Sequence, residues 1–234
     1  MQTANTTPQR VYNLFILDES GSMESIRQST VRSFNELVQT MRDAEAASHN
    51  AERPQQHFVS LYVFNTSAGT REVLFHAPVQ HAAELTDQSY RPNSGTPLYD
   101  AMGHALHRHE AALRDQTDTV TLVTILTDGE ENSSREFTGE AIKALVERLK
   151  AAGWVFTYIG TDHDVERFAH RMSIGSSMSY LKTDRDIDDM LVREKKARMK
   201  FYERSSSKVF NPARENDLFY KDEPGEDEEE KKNP

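Results

Sequence analysis

Residues 14–25 read LFILDESGSMES, and the junction inside this stretch decides how the rest of the chain is read. An apolar run stops at Asp18, and Ser20 and Ser22 follow at every second position. A buried strand that ends on an acid carries it to the edge of the core. Alternate spacing there aims three oxygens at one point. Such oxygens are hard ligands, suited to a metal or to the surroundings of a phosphate.

Three more segments share the pattern of the first strand, VYNLFIL from Val11: HFVSLYVF from His57, TVTLVTIL from Thr119 and WVFTYIG from Trp154. They are short, rich in β-branched and aromatic residues, and apolar on both faces, as parallel central strands are. REVLF from Arg71 follows NTSAG and reads as an antiparallel edge partner of the second strand. SMSYLK from Ser177 reads as a last edge strand. Between the strands lie helical faces: Ile26, Val31, Phe34, Leu37, Val38 and Met41; then Leu98, Met102, Ala105, Leu106 and Leu113; then Phe137, Ile142, Leu145, Val146 and Leu149. This alternation predicts a doubly wound α/β fold, a mostly parallel sheet with helices on both faces. Ligands in such folds sit beyond the carboxyl ends of the strands, where Asp18 stands.

A second strand ends in the same way: TILTDGEENSS puts Asp128 directly after its apolar run. A third polar loop, NSGTPLYDAM, contains Thr96 and leads into a helix. If the first strand neighbours TVTLVTIL, two carboxylates and three hydroxyls converge, an all-oxygen set that suits Mg²⁺ or Mn²⁺ with water completing an octahedron. Each piece also has an ordinary reading. Thr96 before Pro97 is a good helix N-cap, and Ser20-Gly21-Ser22 and Asp128-Gly129 are ordinary turns. Glu19, Glu130 and Glu131 read as solvated loop acids, and Asp100 as an exposed acid near a helix's positive end.

The joint pattern resembles the von Willebrand factor type A family over roughly residues 11–182. DESGS matches the first element of that family's metal-ion-dependent adhesion site at Asp18, Ser20 and Ser22; SGTPLYDA resembles the second at Thr96; LTDGEE matches the third at Asp128. The resemblance implies strand order 3-2-1-4-5-6 with strand three antiparallel. It implies serine hydroxyls that bind the ion directly, with the threonine and aspartates binding directly or through water. A partner's carboxylate would complete the coordination. Two carboxylates only balance a dication, so the ion can still attract an incoming anion.

Composition bounds the rest. The chain has 234 residues, a formal net charge of −10 and no cysteine, which excludes disulfides and thiolate chemistry and argues against a general nucleic-acid binder. No long apolar stretch spans a bilayer and MQTANTTPQR lacks the features of a secretory signal, so a cytoplasmic protein without membrane insertion is expected. The folded unit is expected over residues 1–204. Residues 205–234, ending KDEPGEDEEEKKNP, read as a polar, acidic, disordered tail dispensable for folding. Asp100, His104 and His107 could suggest zinc, but their helical spacing turns them away from the apolar face. His163 and its flanking acids read as the cap of the following helix. REKKARMK from Arg193 reads as the exposed face of the last helix.

The expected function is a non-enzymatic protein-binding module. It would take a partner's exposed Asp or Glu on a bound Mg²⁺ or Mn²⁺, within a larger intracellular assembly; association with an AAA-type ATPase follows from the resemblance alone. Two alternatives stand beside it. One is a Mg²⁺-dependent phosphohydrolase using Asp18, although Ser20 occupies the position where such enzymes carry a second acid, and no phosphate loop is present. The other is a purely structural subunit braced by its metal.

Overall fold

The computed structural model describes residues 7–161 and 164–221. Six strands form one sheet: β1 (Gln9–Asp18), β2 (Gln55–Asn65), β3 (Gly69–Pro78), β4 (Thr119–Thr127), β5 (Val155–Gly160) and β6 (Ser176–Ser179). Their order is β3-β2-β1-β4-β5-β6, with every pair parallel except β2 and β3. This is the expected doubly wound sheet with one antiparallel edge. All residues of β1 but Arg10 are buried, as a strand covered on both faces requires. β1 pairs with β2 on one side and β4 on the other, with Leu17 opposite Leu126. Asp18 and Thr127 therefore end side by side.

Six helices flank the sheet: α1 (Arg27–Ser48), α2 (Leu98–Leu113), α3 (Gly139–Ala151), α4 (Val165–Arg171), α5 (Asp184–Ser205) and α6 (Pro212–Leu218). Alternate residues of β1 point into two separate cores. Val11, Phe15 and Leu17 pack with α1 and α5, while Tyr12, Leu14 and Ile16 pack with α2, α3 and α4. Each core draws its packing from the period-two alternation of the strands.

At the C-terminal end two expectations fail. The boundary at residue 204 falls inside packed structure. α6 follows it, and Asn216 and Phe219 are buried at 1% and 2% exposure. Asn216 bridges the gap below the short β5–β6 pairing: its Nδ2 donates to the Trp154 carbonyl at 2.8 Å and its Oδ1 accepts from Phe156 N at 3.0 Å. Gly175 permits this approach, because a Cβ there would stand 2.8 Å from the Asn216 carbonyl and 2.3 Å from Asp217 Oδ1. The sequence around 205–221 is polar overall, but one asparagine with the right geometry supplies what a strand would. Residues 222–234, the most acidic part of the expected tail, lie outside the described residues.

The second failure concerns REKKARMK. Glu194 and Arg198 are both fully buried, not exposed. Arg198 pairs with Glu194 at 2.5 Å, donates to Thr124 Oγ1 at 2.7 Å and to Asn13 Oδ1 at 3.2 Å, and lies over the Phe15 ring. Tyr202 donates to Asn13 Oδ1 and Tyr220 to Glu194 Oε2, both at 2.6 Å. A charged residue at helical spacing reads as solvent-facing unless its partner four residues away shares its burial.

Candidate functional site

Three loops meet at the carboxyl ends of β1 and β4, joined through their backbones. Gly21 N donates to the Ser94 carbonyl and Asn93 N to the Glu19 carbonyl, each at 2.9 Å; Asn132 N donates to the Thr96 carbonyl at 3.2 Å. Gly95 lies where the loops press closest, since a Cβ there would meet Ser133 Oγ at 2.6 Å and Thr66 Oγ1 at 2.7 Å.

Asp18, Ser20, Thr96 and Asp128 are buried at this junction, and Ser22 lies exposed at its rim. Asp18 Oδ1 accepts from Ser20 N at 2.7 Å and Oδ2 from Thr127 Oγ1 at 2.6 Å. Ser20 Oγ and Ser22 Oγ are 3.1 Å apart, and Ser22 Oγ donates to Asp128 Oδ1 at 2.7 Å. Four of the five expected site residues thus form one hydrogen-bonded chain. Thr96 stands beside it: a Cβ on Gly129 would lie 3.8 Å from its hydroxyl oxygen.

Burial pushes the Asp18 carboxyl up to about 6, against the lowering effect of its bonds from Thr127 and Ser20; Asp128 nearby adds to the rise. The other carboxylate meets one cation. Asp128 Oδ2 accepts no well-aligned hydrogen bond, yet the Lys182 ammonium lies 2.7 Å from it as an ion pair. Sequence reading missed Lys182, because it looked for site residues only in the three loops. Lys182 follows β6, two strands from β4, about 10 Å across the sheet. A lysine at the carboxyl end of β6 faces the same edge as Asp128, and its long stem spans much of that distance.

Several neighbouring residues differ from expectation. Thr96 caps nothing: α2 begins at Leu98 without a side-chain cap. Glu131 and Ser134 take that task from the next loop, accepting from Tyr99 N at 2.9 Å and Asp100 N at 3.1 Å. Glu131 is therefore no solvated acid. Asp100 returns the connection by accepting from the backbone N–H groups of Arg135, Glu136 and Phe137 at 2.8–2.9 Å. Glu19 is 1% exposed, bound by Arg71 at 2.8 Å, by Arg91 N at 2.5 Å and by Asn65 Nδ2 at 3.2 Å. Its charge is spent inside the fold. Only Glu130 is exposed as expected. Tyr90, also missed, is fully buried and donates to the Asp18 carbonyl at 2.5 Å.

His104 and His107 are exposed on the outer face of α2, and among the described residues no three His, Cys, Asp or Glu side chains gather as a metal cluster. An ion at the strand ends would rest on two carboxylates and on hydroxyls. Asp164 caps α4 by accepting from Arg167 N at 3.0 Å; Asp162 and His163 lie outside the described residues.

The von Willebrand factor type A domain model matches residues 14–193. The chain belongs to that family. Its members commonly serve as adhesion or protein-interaction modules and often carry a divalent metal at the adhesion site. Solved structures agree in fold. The pilus adhesin SpaC from Lactobacillus rhamnosus GG, in its open conformation, aligns with TM-score 0.59 and 14% identity over 85% of this chain and 31% of its own. Proximal thread matrix protein 1 from the mussel byssus, with its metal-ion-dependent adhesion motif occupied by zinc, aligns with TM-score 0.55 and 15% identity over 79% of this chain and 47% of its own. The type A domain of SpRpn10 aligns with TM-score 0.50 and 12% identity over 78% of this chain and 94% of its own. This chain thus spans less than half of the adhesin or the byssus protein. No curated protein matches the sequence.

Proposed function

We propose that this chain is a non-enzymatic binding module that captures a protein partner's Asp or Glu through Mg²⁺ or Mn²⁺ held by Asp18, Ser20, Ser22, Thr96 and Asp128. The observation that carries this reading is a buried pair of carboxylates linked through Ser20 and Ser22 at strand ends, with Asp128 Oδ2 lacking a well-aligned hydrogen bond and paired with the Lys182 ammonium. Hard oxygen donors with two negative charges fit a small dication. The Thr96 hydroxyl, free of capping duty, is available to complete the set. Exposure of Ser22 leaves the site open on the side from which a partner carboxylate arrives. Glu19 is neutralised by Arg71 and so does not repel an acidic partner. No described helix is long and apolar enough to cross a membrane, and we place the module in the cytoplasm as part of a larger assembly, where the absence of cysteine costs it nothing.

The test is capture of partners from a cell extract with Mg²⁺ or with chelator, using wild type and Thr96→Ala, with phosphatase turnover measured in parallel. The reading expects capture that chelator abolishes and Thr96→Ala weakens, and no turnover. Metal-dependent hydrolysis lost in Asp18→Asn would favour an enzyme. Capture indifferent to both chelator and Thr96 would remove the ion from the account.

A further inference from the structure

The Lys182 side chain reaches the site from outside the three loops that build it. Its ammonium stands 2.7 Å from Asp128 Oδ2, the atom of the pair that accepts no well-aligned hydrogen bond. The Asp128 side chain is 0% exposed, whereas that of Lys182 is 20% exposed, so a fully buried acid is paired with a partly exposed base. The backbone around it is fixed on both sides. Tyr180 N donates to the Gly160 carbonyl at 3.1 Å, and Thr183 caps α5 by accepting from Asp186 N at 3.2 Å.

We propose that Lys182 is a tethered counter-ion that competes with a divalent cation for Asp128, so that binding of the metal displaces the ammonium and lysine lowers the site's affinity. This rests on the metal-site reading above. Among the described residues, Asp18 and Asp128 carry two negative charges between them when both are ionised, which a dication balances and a single ammonium does not. A positive charge within a hydrogen-bond length of a carboxylate oxygen repels a dication that approaches the same carboxylate, so each weakens the other's hold on it. The arrangement keeps an ion-free site from presenting two bare buried acids, and it makes occupancy depend on the cation supplied.

The probe is Mn²⁺ alone, titrated calorimetrically into the full chain as wild type, Lys182→Met and Lys182→Arg, with melting temperature in chelator as the second measurement. Methionine keeps the apolar stem and removes the charge; arginine keeps the charge. Lys182→Met is expected to bind Mn²⁺ about tenfold more tightly than wild type and to melt lower in chelator, while Lys182→Arg stays within about threefold of wild type. Equal affinity in wild type and Lys182→Met, or weaker binding in the methionine variant, overturns the competition and leaves the metal site standing. No Mn²⁺ binding by wild type or by Lys182→Met overturns both readings.

Discussion

Two buried charged clusters lie within one sheet, and they are finished differently. Around α5, Arg198 and Glu194 are both fully buried and paired at 2.5 Å, and Thr124, Asn13, Tyr202 and Tyr220 occupy their remaining donors and acceptors. Its charges cancel and its bonds are complete. At the strand ends, the Lys182 ammonium pairs with Asp128 at 2.7 Å, Asp18 is pushed up to about 6, and Asp128 Oδ2 lacks a well-aligned hydrogen bond. A cluster that cancels internally is structural. A pair of buried acids at the edge where such folds bind ligands, with one carboxylate oxygen short of a well-aligned hydrogen bond, fits the cation proposed above.

Breaking the complete cluster gives the largest effect. Glu194→Ala leaves Arg198 buried without its partner and should cost about 3–5 kcal/mol, read as a fall in the urea midpoint. A loss below about 1 kcal/mol would mean that water reaches Arg198 and that the cluster is not closed.

Acid tests the same cluster from another side. His57 packs its ring on Tyr202 and is lowered to about 3, first by burial and then by Arg198; His109, on the other face of the sheet, is lowered to about 3, chiefly by burial. The unfolded chain takes these protons near the ordinary pKa of 6.5, and the folded chain does not. Their contribution is therefore intact above pH 6.5 and is lost as pH falls from there toward 3. Each costs about 1.4 kcal/mol per pH unit within that window. Asp18 works in the opposite sense between about 6 and 3.8. Guanidinium midpoints measured from pH 7.5 to 5 should fall, and His57→Phe should flatten the slope. An unchanged slope in that variant would show that His57 is protonated in the folded state.

Smaller still is the expected effect at the C-terminus. Asn216→Ala strands the Phe156 N–H and the Trp154 carbonyl and should cost about 1–3 kcal/mol. Deletion of residues 222–234 should leave the melting temperature within about 2 °C of wild type, since that stretch offers little to bury. A larger drop would make the acidic segment part of the fold.

The legibility of these parts follows from how local their signals are. Periodicity announced the sheet and the strand-end acids, while the strand order that seats Asp18 beside Asp128 came from the family resemblance; parallel register then brings like ends together. What stayed hidden depends on a partner distant in sequence. Glu19 reads as a loop acid until Arg71 arrives on β3. Thr96 before proline reads as a cap until Glu131 and Ser134 take the helix end. Arg198 reads as solvent-facing until Asn13 and Thr124 come beneath it, and Lys182 belongs to the site only once β6 is seated two strands from β4. Polar residues alone do not reveal which of them the fold will bury.

The most direct measurement is the melting temperature of wild type and Asp18→Ala, each with Mg²⁺ and with chelator. At about a hundredfold excess over Kd, a cation that binds only the folded state adds about 2.7 kcal/mol, a rise of roughly 5–10 °C for a chain of this size. The account predicts that rise in wild type and none in Asp18→Ala, whose melting temperature in chelator should be no lower than that of wild type because a desolvated buried acid has been removed. A wild type indifferent to Mg²⁺, or an Asp18→Ala variant that gains as much from it, would contradict the claim that the strand-end cluster is a cation site.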